Sequence, residues 1–273
     1  MNEQKNLLLA IVASLIILLI FQYLFPTERK MIEENVEAEN QIKEVPQEKI
    51  LDREEIVKNN KRIYFSESSR IKGSISLIGA RFDDVILKDY KETIKPESKQ
   101  VTLLSPNNTL NPYFVELGWM SQENINLPNK NSEWQLIEGK ELGPENHITI
   151  KWVSPEGIEF FRKIEVDKDY LITVEQKVTN VSNKDISLTQ YGRINRTGTP
   201  KTSGFYILHE GPIAVLNERL LEIDYDDIIE EGSKSIISKG GWVGITDKYW
   251  LAALIPDQRS RIEGGFKAVL KNI

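Results

Sequence analysis

The sequence predicts a mainly β protein, a large antiparallel β-sandwich, preceded by one transmembrane α-helix. Two observations carry this prediction. From about residue 63 onward apolar and polar residues alternate, and turn residues recur at intervals of about 8–12 residues. Ahead of that region lies a run of 19 uncharged residues, 7–25, which is close to the length that crosses a bilayer.

Composition narrows the classes of function. The 273 residues with 40% hydrophobic content are enough to bury a sizeable core. A net charge of -6 argues against the basic surface that binds nucleic acid, so we expect no nucleic-acid partner. Because the chain contains no cysteine, disulfides, thiolate metal ligands and a cysteine nucleophile are excluded.

The apolar run reads LLLAIVASLIILLIFQYLF. As a helix it would be roughly 28 Å long, close to the ~30 Å hydrocarbon core of a bilayer. A signal peptide usually has an apolar region of about 7–15 residues that ends at a small-residue cleavage site. This run instead ends in Tyr23, Phe25 and Pro26. We therefore expect an uncleaved anchor, with a signal peptide and a buried soluble helix as the alternatives.

The segments on either side of the anchor differ in length and character. The positive charges that flank the apolar run are similar in number on its two sides, so they do not decide its orientation. Export of the long polar part favours a cytoplasmic tail at residues 1–6 and an exported remainder after residue 25. Residues 27–58 contain no aromatic residue and no glycine, and half of them are charged. Such a stretch cannot bury enough apolar area to offset its ordering entropy. We expect residues 26–59 to be a flexible tether and residues 60–273 to be the β domain.

Within the β domain, the clearest strands flank the turn at residues 154–157 and a second turn at residues 180–183. A weak helical pattern covers Pro212–Leu221. Near the end, GGWVGITDKYWLAALIPD places apolar residues on both sides of a polar turn, so we expect a hairpin there. Its tryptophans would pack in the core or at its rim, and a binding surface is the alternative.

Residues with catalytic potential are few, and we expect no catalytic, cofactor-binding or metal site. His209 and Glu210 suggest acid–base chemistry, but adjacent strand residues point to opposite faces of a sheet. The carboxylates of Asp224, Asp226 and Asp227 lack the ligand spacing of a calcium loop, so an exposed strand edge or turn is favoured.

Four stretches in order resemble the bacterial YidC membrane protein insertase family. They are MNEQKNLLLAIVASLIILLIFQYLFP, GIEFFRKIEVDKDYLITVEQKVTN, HEGPIAVLNERLLEIDYDDI and the glycine-rich hairpin. In the hairpin the similar positions are Gly241, Trp242, Gly244, Ile245, Thr246, Asp247, Lys248, Tyr249, Trp250, Ala253, Ile255 and Pro256.

The resemblance implies a bacterial inner-membrane protein whose residues 60–273 form a periplasmic β-supersandwich, similar to galactose mutarotase. It implies a role beside the Sec translocon in the insertion and folding of nascent membrane proteins, without a cofactor. The hairpin residues that it marks as structural or interacting are Gly241, Trp242, Gly244, Thr246, Asp247, Lys248, Tyr249, Trp250 and Pro256.

The chain also departs from the family pattern. The family's insertase core has five further transmembrane helices around a hydrophilic groove with an arginine, and no position of this chain matches that arginine. We expect an amino-terminal portion with an incomplete β domain and no insertase activity of its own. The alternatives are a membrane-anchored carbohydrate-binding or mutarotase-like enzyme using His209, Glu210 and Asp224, and a structural anchor for an envelope complex.

Overall fold

The computed structural model describes residues 50–200 and 208–269. The predicted tail, the anchor at 7–25 and most of the tether lie outside these residues. Among the described residues, no helix is long and apolar enough to cross a membrane. All of them belong to one compact unit of the chain, Glu48–Ile273.

The described residues form two short helices and sixteen strands. The helices are α1 (Arg53–Asn59) and α2 (Tyr225–Glu231). The strands are β1 (Arg62–Tyr64), β2 (Ile71–Ser76), β3 (Arg81–Lys91), β4 (Gln100–Leu104), β5 (Tyr113–Met120), β6 (Gln135–Glu138), β7 (Ile148–Val153), β8 (Ile158–Val166), β9 (Ile172–Asn180), β10 (Thr189–Arg196), β11 (Gly211–Leu216), β12 (Arg219–Glu222), β13 (Ser233–Lys239), β14 (Trp242–Thr246), β15 (Leu251–Leu254) and β16 (Arg261–Lys267).

The strands form four sheets, and every strand pair is antiparallel. The first sheet has the order β1-β2-β3-β5-β10, with β4 also paired to β3, and the second has the order β6-β7-β8-β9. The third is β12-β11-β14-β15, and the fourth is the pair β13-β16. The prediction of a mainly β, antiparallel sandwich is confirmed.

The main core lies between the first and second sheets. Alternate residues of β7 and β8 are completely buried and contact apolar residues of β2, β3 and β5. They are Ile148, Ile150, Ile158, Phe160 and Ile164. Each side chain of this kind contributes roughly 1.5–3 kcal/mol on burial, so this alternation positions the two sheets face to face.

Arg162 occupies a position on the same buried face of β8. Its guanidinium lies 5.1 Å from the ring centroid of Trp119 and 4.6 Å from that of Trp134. It donates hydrogen bonds to the carbonyl oxygens of Ala80 and Leu117, in the first sheet or beside it, and to Oε1 of Gln176 on β9. Burial lowers the pKa of Arg162 to about 9, so the side chain remains charged at neutral pH. This cation links the two sheets through their interior.

Two local predictions were wrong. The weak helical pattern at Pro212–Leu221 is a hairpin of β11 and β12, because Asn217 and Glu218 adopt positive φ values of 50° and 61°, as a tight hairpin turn requires. Asp226 and Asp227, expected in a turn or at a strand edge, lie in the first turn of α2. Negative side chains there interact favourably with the positive end of the helix dipole. Asp224 is the N-cap residue of that helix.

Part of the predicted tether is ordered. Residues 53–59 form α1, whose first turn is capped by the side chain of Asp52. Arg53 forms an ion pair with Asp84, whose carboxylate is buried in the first sheet and also accepts a hydrogen bond from Ser74. The main-chain N–H of Leu51 donates to the carbonyl oxygen of Asn108 at 2.9 Å. The chain is thus fixed to the first sheet before β1 begins.

Candidate functional site

In the hairpin, the residues that carry the resemblance lie on β14, on β15, in the turn between them or directly beside these strands. The register pairs Val243 with Leu254 and Thr246 with Leu251, which confirms the predicted hairpin. On its other side β14 pairs with β11, so the hairpin is part of the third sheet.

The glycines of the hairpin permit close contact between backbones. Gly241 has a φ of 94°, and a Cβ atom there would lie 2.2 Å from the carbonyl oxygen of Val215 on β11. At Gly244 a Cβ atom would lie 2.7 Å from the carbonyl oxygen of Ala252 on β15. Real Cβ atoms do not approach oxygen so closely, so both positions require glycine for steric reasons.

The turn of the hairpin is held by polar contacts. The N–H of Asp247 donates to the carbonyl oxygen of Trp250 at 2.7 Å, and Thr246 Oγ1 lies 3.0 Å from the carbonyl oxygen of Asp247. Oδ1 of Asp247 accepts a hydrogen bond from Nη1 of Arg196 on β10 at 2.7 Å. The Arg196 guanidinium in turn stacks over Tyr113, 4.6 Å from its ring centroid. These contacts fix the turn to the first sheet.

Two ionisable groups beside the turn keep their neutral-pH charge states. Burial alone would lower the pKa of Arg196, but its hydrogen bond to Asp247 raises the pKa above the ordinary value. Burial raises the pKa of the Tyr113 hydroxyl, which therefore stays protonated. Neither group is suited to exchange protons near neutral pH, so the arrangement favours a structural anchor.

Trp250 belongs to an aromatic cluster that the sequence did not reveal. Its ring contacts Tyr90, at the end of β3, edge to face with centroids 4.8 Å apart, and Tyr90 lies 6.1 Å from Tyr170. Tyr170 donates a hydrogen bond to Asp89 at 2.7 Å, and Arg70 stacks on the Tyr170 ring. No sequence signal joins these residues, because they come from segments far apart along the chain.

Charge and hydrogen bonding stabilise the contact between Asp89 and Tyr170 in this cluster. The hydrogen bonds from Tyr170 and Arg70 lower the pKa of Asp89. Burial, together with the bond to Asp89, raises the pKa of Tyr170 to about 12. Asp89 is therefore ionised and Tyr170 neutral at physiological pH, which maintains the contact between them.

Comparison with known proteins identifies the family. Residues 67–271 match the family described as the YidC periplasmic domain. The chain belongs to the YidC membrane protein insertase family. It is 40% identical to the YidC insertase of Rickettsia akari over 282 residues, which cover 99% of this chain and 50% of that protein. The YidC insertase of Granulibacter bethesdensis is 38% identical over 286 residues, which cover 99% of this chain and 49% of that protein.

These matches bear on the earlier expectations. The resemblance to YidC seen in the sequence is confirmed. The chain spans about half the length of the curated YidC relatives that it matches. The β domain described above is accordingly the YidC periplasmic domain of this chain.

The YidC motif residues differ in their access to solvent. Gly244 is buried, and Tyr249 is 72% exposed. The others are partly buried: Gly241, Trp242, Thr246, Asp247, Lys248, Trp250 and Pro256. Lys248 places its ammonium 5.5 Å from the ring centroid of Tyr249. Most of the motif therefore shapes and anchors the hairpin, and its turn exposes Tyr249 to solvent.

The residues considered for carbohydrate chemistry are arranged differently from a catalytic site. Nε2 of His209 lies 3.0 Å from the carbonyl oxygen of Pro212, which can only accept, so this nitrogen carries the proton. Nδ1 lies 3.8 Å from Asp224, whose side chain is largely exposed, while the His209 ring is mostly buried. A cavity of about 370 Å³ elsewhere in the YidC domain is lined by Leu216, Asn217, Arg219, Leu221 and Ile236, and by none of the three candidates. The geometry does not favour the enzyme alternative.

Proposed function

We propose that this chain is the membrane anchor and periplasmic interaction domain of an inner-membrane protein insertase. In this proposal it aids the insertion and folding of nascent membrane proteins, with the Sec translocon or alone. The observation that carries the proposal is the match of residues 67–271 to the YidC periplasmic domain, in a chain that also holds a span-length apolar run. In this proposal the anchor and the periplasmic domain bind partners and catalyse no reaction.

The rigidity of the hairpin supports an interaction role. Arg196 and Asp247 hold the turn, and the close backbone contacts of Gly241 and Gly244 fix the strands behind it. An exposed aromatic residue on such a support, here Tyr249, loses little conformational freedom when it binds. We include in this proposal a contact of the domain with the Sec translocon and nascent membrane proteins as its clients.

The topology of the proposal has residues 1–6 in the cytoplasm and residues 7–25 across the inner membrane. A tether starts at residue 26 and leads to helix α1, and the β domain lies in the periplasm. Protease added to spheroplasts should digest the β domain and leave a membrane-bound fragment near the amino terminus. Protection of the domain in intact spheroplasts would contradict this orientation. Release of a shortened chain that begins beyond Phe25 would contradict the uncleaved anchor.

The translocon contact can be tested by co-isolation. The full chain, carrying an affinity tag, is recovered from membranes in mild detergent and probed with antibodies to the Sec translocon subunits. A tagged chain of residues 1–59 is the control, because it keeps the anchor and lacks the β domain. We expect translocon subunits with the full chain and not with the control. Equal recovery with both chains, or recovery with neither, would contradict a role of the domain in this contact.

A further inference from the structure

Three turns meet at one end of the β domain. They are residues 92–99 between β3 and β4, residues 167–171 between β8 and β9, and residues 247–250 between β14 and β15. The contacts of Tyr90 with Trp250 and Tyr170 bring them together. We call these three turns with Tyr90 the aromatic end, and we propose that it docks on the phospholipid surface of the membrane that holds the protein. This inference rests on the proposed anchor.

The aromatic end exposes apolar side chains at its turns. Ile94 is completely exposed, Tyr249 is 72% exposed, and Leu171 and Tyr90 are also exposed. Single exposed apolar residues are common on protein surfaces, but here four of them belong to the three turns and the Tyr90 position that make up one end of the domain. Tyrosine and tryptophan favour the membrane interface, because their rings are apolar and their N–H or O–H groups reach water.

The turns are supported from behind by polar contacts. The N–H of Glu92 donates to the carbonyl oxygen of Lys99, which extends the β3–β4 hairpin toward Ile94. Asp89 accepts from both Arg70 and Tyr170, which ties the β8–β9 turn to the end of β3. An apolar tip on such a support can enter the interface without unfolding the turn that carries it.

Charges at the aromatic end nearly balance, with four lysines and five carboxylates in its three turns. In the described part of the chain, the ammonium groups of Lys95 and Lys168 have no ion-pair partner within 4.0 Å. Glu92 and Glu97 lie in the same region, and Asp169 lies 3.9 Å from Arg70. Apolar and aromatic contact is therefore the main attraction, and the lysines add to it when the lipids are anionic.

The length of chain before the domain favours lipid as the occupant. Residues 26–49 connect the predicted anchor to the described residues, and 24 residues span at most about 80 Å when fully extended. In the proposed topology the domain stays within that distance of the bilayer, so even weak contact with lipid is repeated at high local concentration.

The absence of cysteine allows a direct test in the full chain. A fluorescent label on Glu97→Cys reports on the aromatic end, and the same label on Val181→Cys is the matched control. Val181 is an exposed residue at the other end of β9, roughly 30 Å from Leu171. The labelled chains are reconstituted in nanodiscs of phosphatidylethanolamine and phosphatidylglycerol that contain spin-labelled lipids. We expect lipid quenching of the label at residue 97 and none at residue 181.

Second substitutions identify the side chains responsible. In the Glu97→Cys chain, Ile94→Asp combined with Tyr249→Ser should abolish the lipid quenching. Leu110→Asp, a matched change at an exposed residue beyond the other end of β4, should leave it intact. Lys95→Glu should lower the ratio of docked to free domain about fivefold in the anionic nanodiscs. It should have a much smaller effect in nanodiscs of phosphatidylcholine alone.

The other outcomes would overturn the proposal. A label at residue 97 that is open to aqueous iodide and unaffected by lipid quenchers means that the aromatic end is not docked. Protection from iodide without lipid quenching means that protein, such as a second copy of the chain, covers it. Quenching at both labels means that the domain has no preferred face. Carbonate extraction of the same samples tests the anchor separately, so failure of lipid docking is distinguishable from failure of the proposed function.

Discussion

The main sandwich and the C-terminal sheets of this domain are stabilised in different ways. Between the first and second sheets, large apolar side chains are fully buried around the guanidinium of Arg162. In the third and fourth sheets the buried apolar side chains are fewer, and backbones lie in close contact at Gly241, Gly244 and Gly265. The first region therefore depends on side-chain volume, and the second depends on positions that exclude side chains.

The difference also bears on which residues of this chain resemble YidC. A core of alternating aliphatic residues can be built from many sequences of similar volume, so it identifies a sandwich without identifying a family. A strand that accepts only glycine at two positions, and a turn held by Asp247, tolerate far fewer residue types. The hairpin is consequently the stretch whose residues most clearly resemble YidC.

The largest expected effect is at Arg162. Arg162→Ala removes three hydrogen bonds and two cation–π contacts and leaves a space in the core, so we expect the free energy of unfolding to fall by about 3–5 kcal/mol. Urea unfolding of the full chain in mild detergent, followed by tryptophan fluorescence, measures this. Lys163→Ala, the next residue on β8, is the control and should have little effect, because its ion pair with Glu165 is on the surface. Similar losses for both variants would contradict the interior link.

The next largest effect is expected at Gly241. Gly241→Ala places a methyl group against the carbonyl oxygen of Val215, and we expect it to lower the free energy of unfolding by about 2–4 kcal/mol. Gly232 has a φ of 76°, and no atom of the described residues lies within 4 Å of the position that its Cβ atom would take, so Gly232→Ala isolates the cost of the backbone conformation. That cost is about 1–3 kcal/mol, because Gly232, with a ψ of -49°, lies outside the left-handed helical region. If the two variants lose the same stability, close backbone contact is not what requires glycine at 241.

The contact that joins the two regions is expected to have a smaller effect. Asp247→Ala leaves Arg196 without its carboxylate, and we expect a loss of about 1–2 kcal/mol, concentrated in the hairpin turn. Hydrogen exchange should become faster at Trp250, whose N–H bonds to the carbonyl oxygen of Asp247, while β7 and β8 keep their protection. Asp257→Ala, which removes a surface pair with Arg259, is the control. Uniform loss of protection across the domain would contradict a local anchor.

The sequence predicted the strands and turns that depend on residues close together along the chain. The strands around residues 154–157 and the β14–β15 hairpin were found because alternation and turn residues are both local. Arg162 was missed because its polarity interrupts an apolar alternation, and Trp119 and Trp134, which compensate its burial, lie far away in the chain.

Sequence patterns did not predict the contacts that depend on tertiary packing. The contact of Tyr90 with Trp250 joins the end of β3 to a turn about 160 residues later, so no spacing rule predicts it. The β11–β12 hairpin was mistaken for a helix, because Asn217 and Glu218 are not the glycine that usually marks such a turn.

The smallest expected effect depends on pH and belongs to the main sandwich. Burial alone would raise the pKa of Glu116 on β5, but hydrogen bonds from Arg193 at 2.5 Å and Arg81 at 2.8 Å lower it below the ordinary value. A carboxylate whose pKa is lower in the folded state stabilises the protein above its unfolded pKa, and this contribution is lost as the pH falls through the folded pKa.

Glu116→Gln should therefore lower the free energy of unfolding by about 1 kcal/mol near pH 7, and the difference from the parent chain should shrink as the pH falls below the ordinary carboxyl range. Urea unfolding of both chains at pH 7 and at a pH below the ordinary carboxyl range measures the change. Arg81→Gln, alone and combined with Glu116→Gln, completes a double-mutant cycle whose coupling energy should disappear in acid. A coupling that persists after the carboxylate is protonated would show that packing around β5, rather than the charge on Glu116, supports this face of the first sheet.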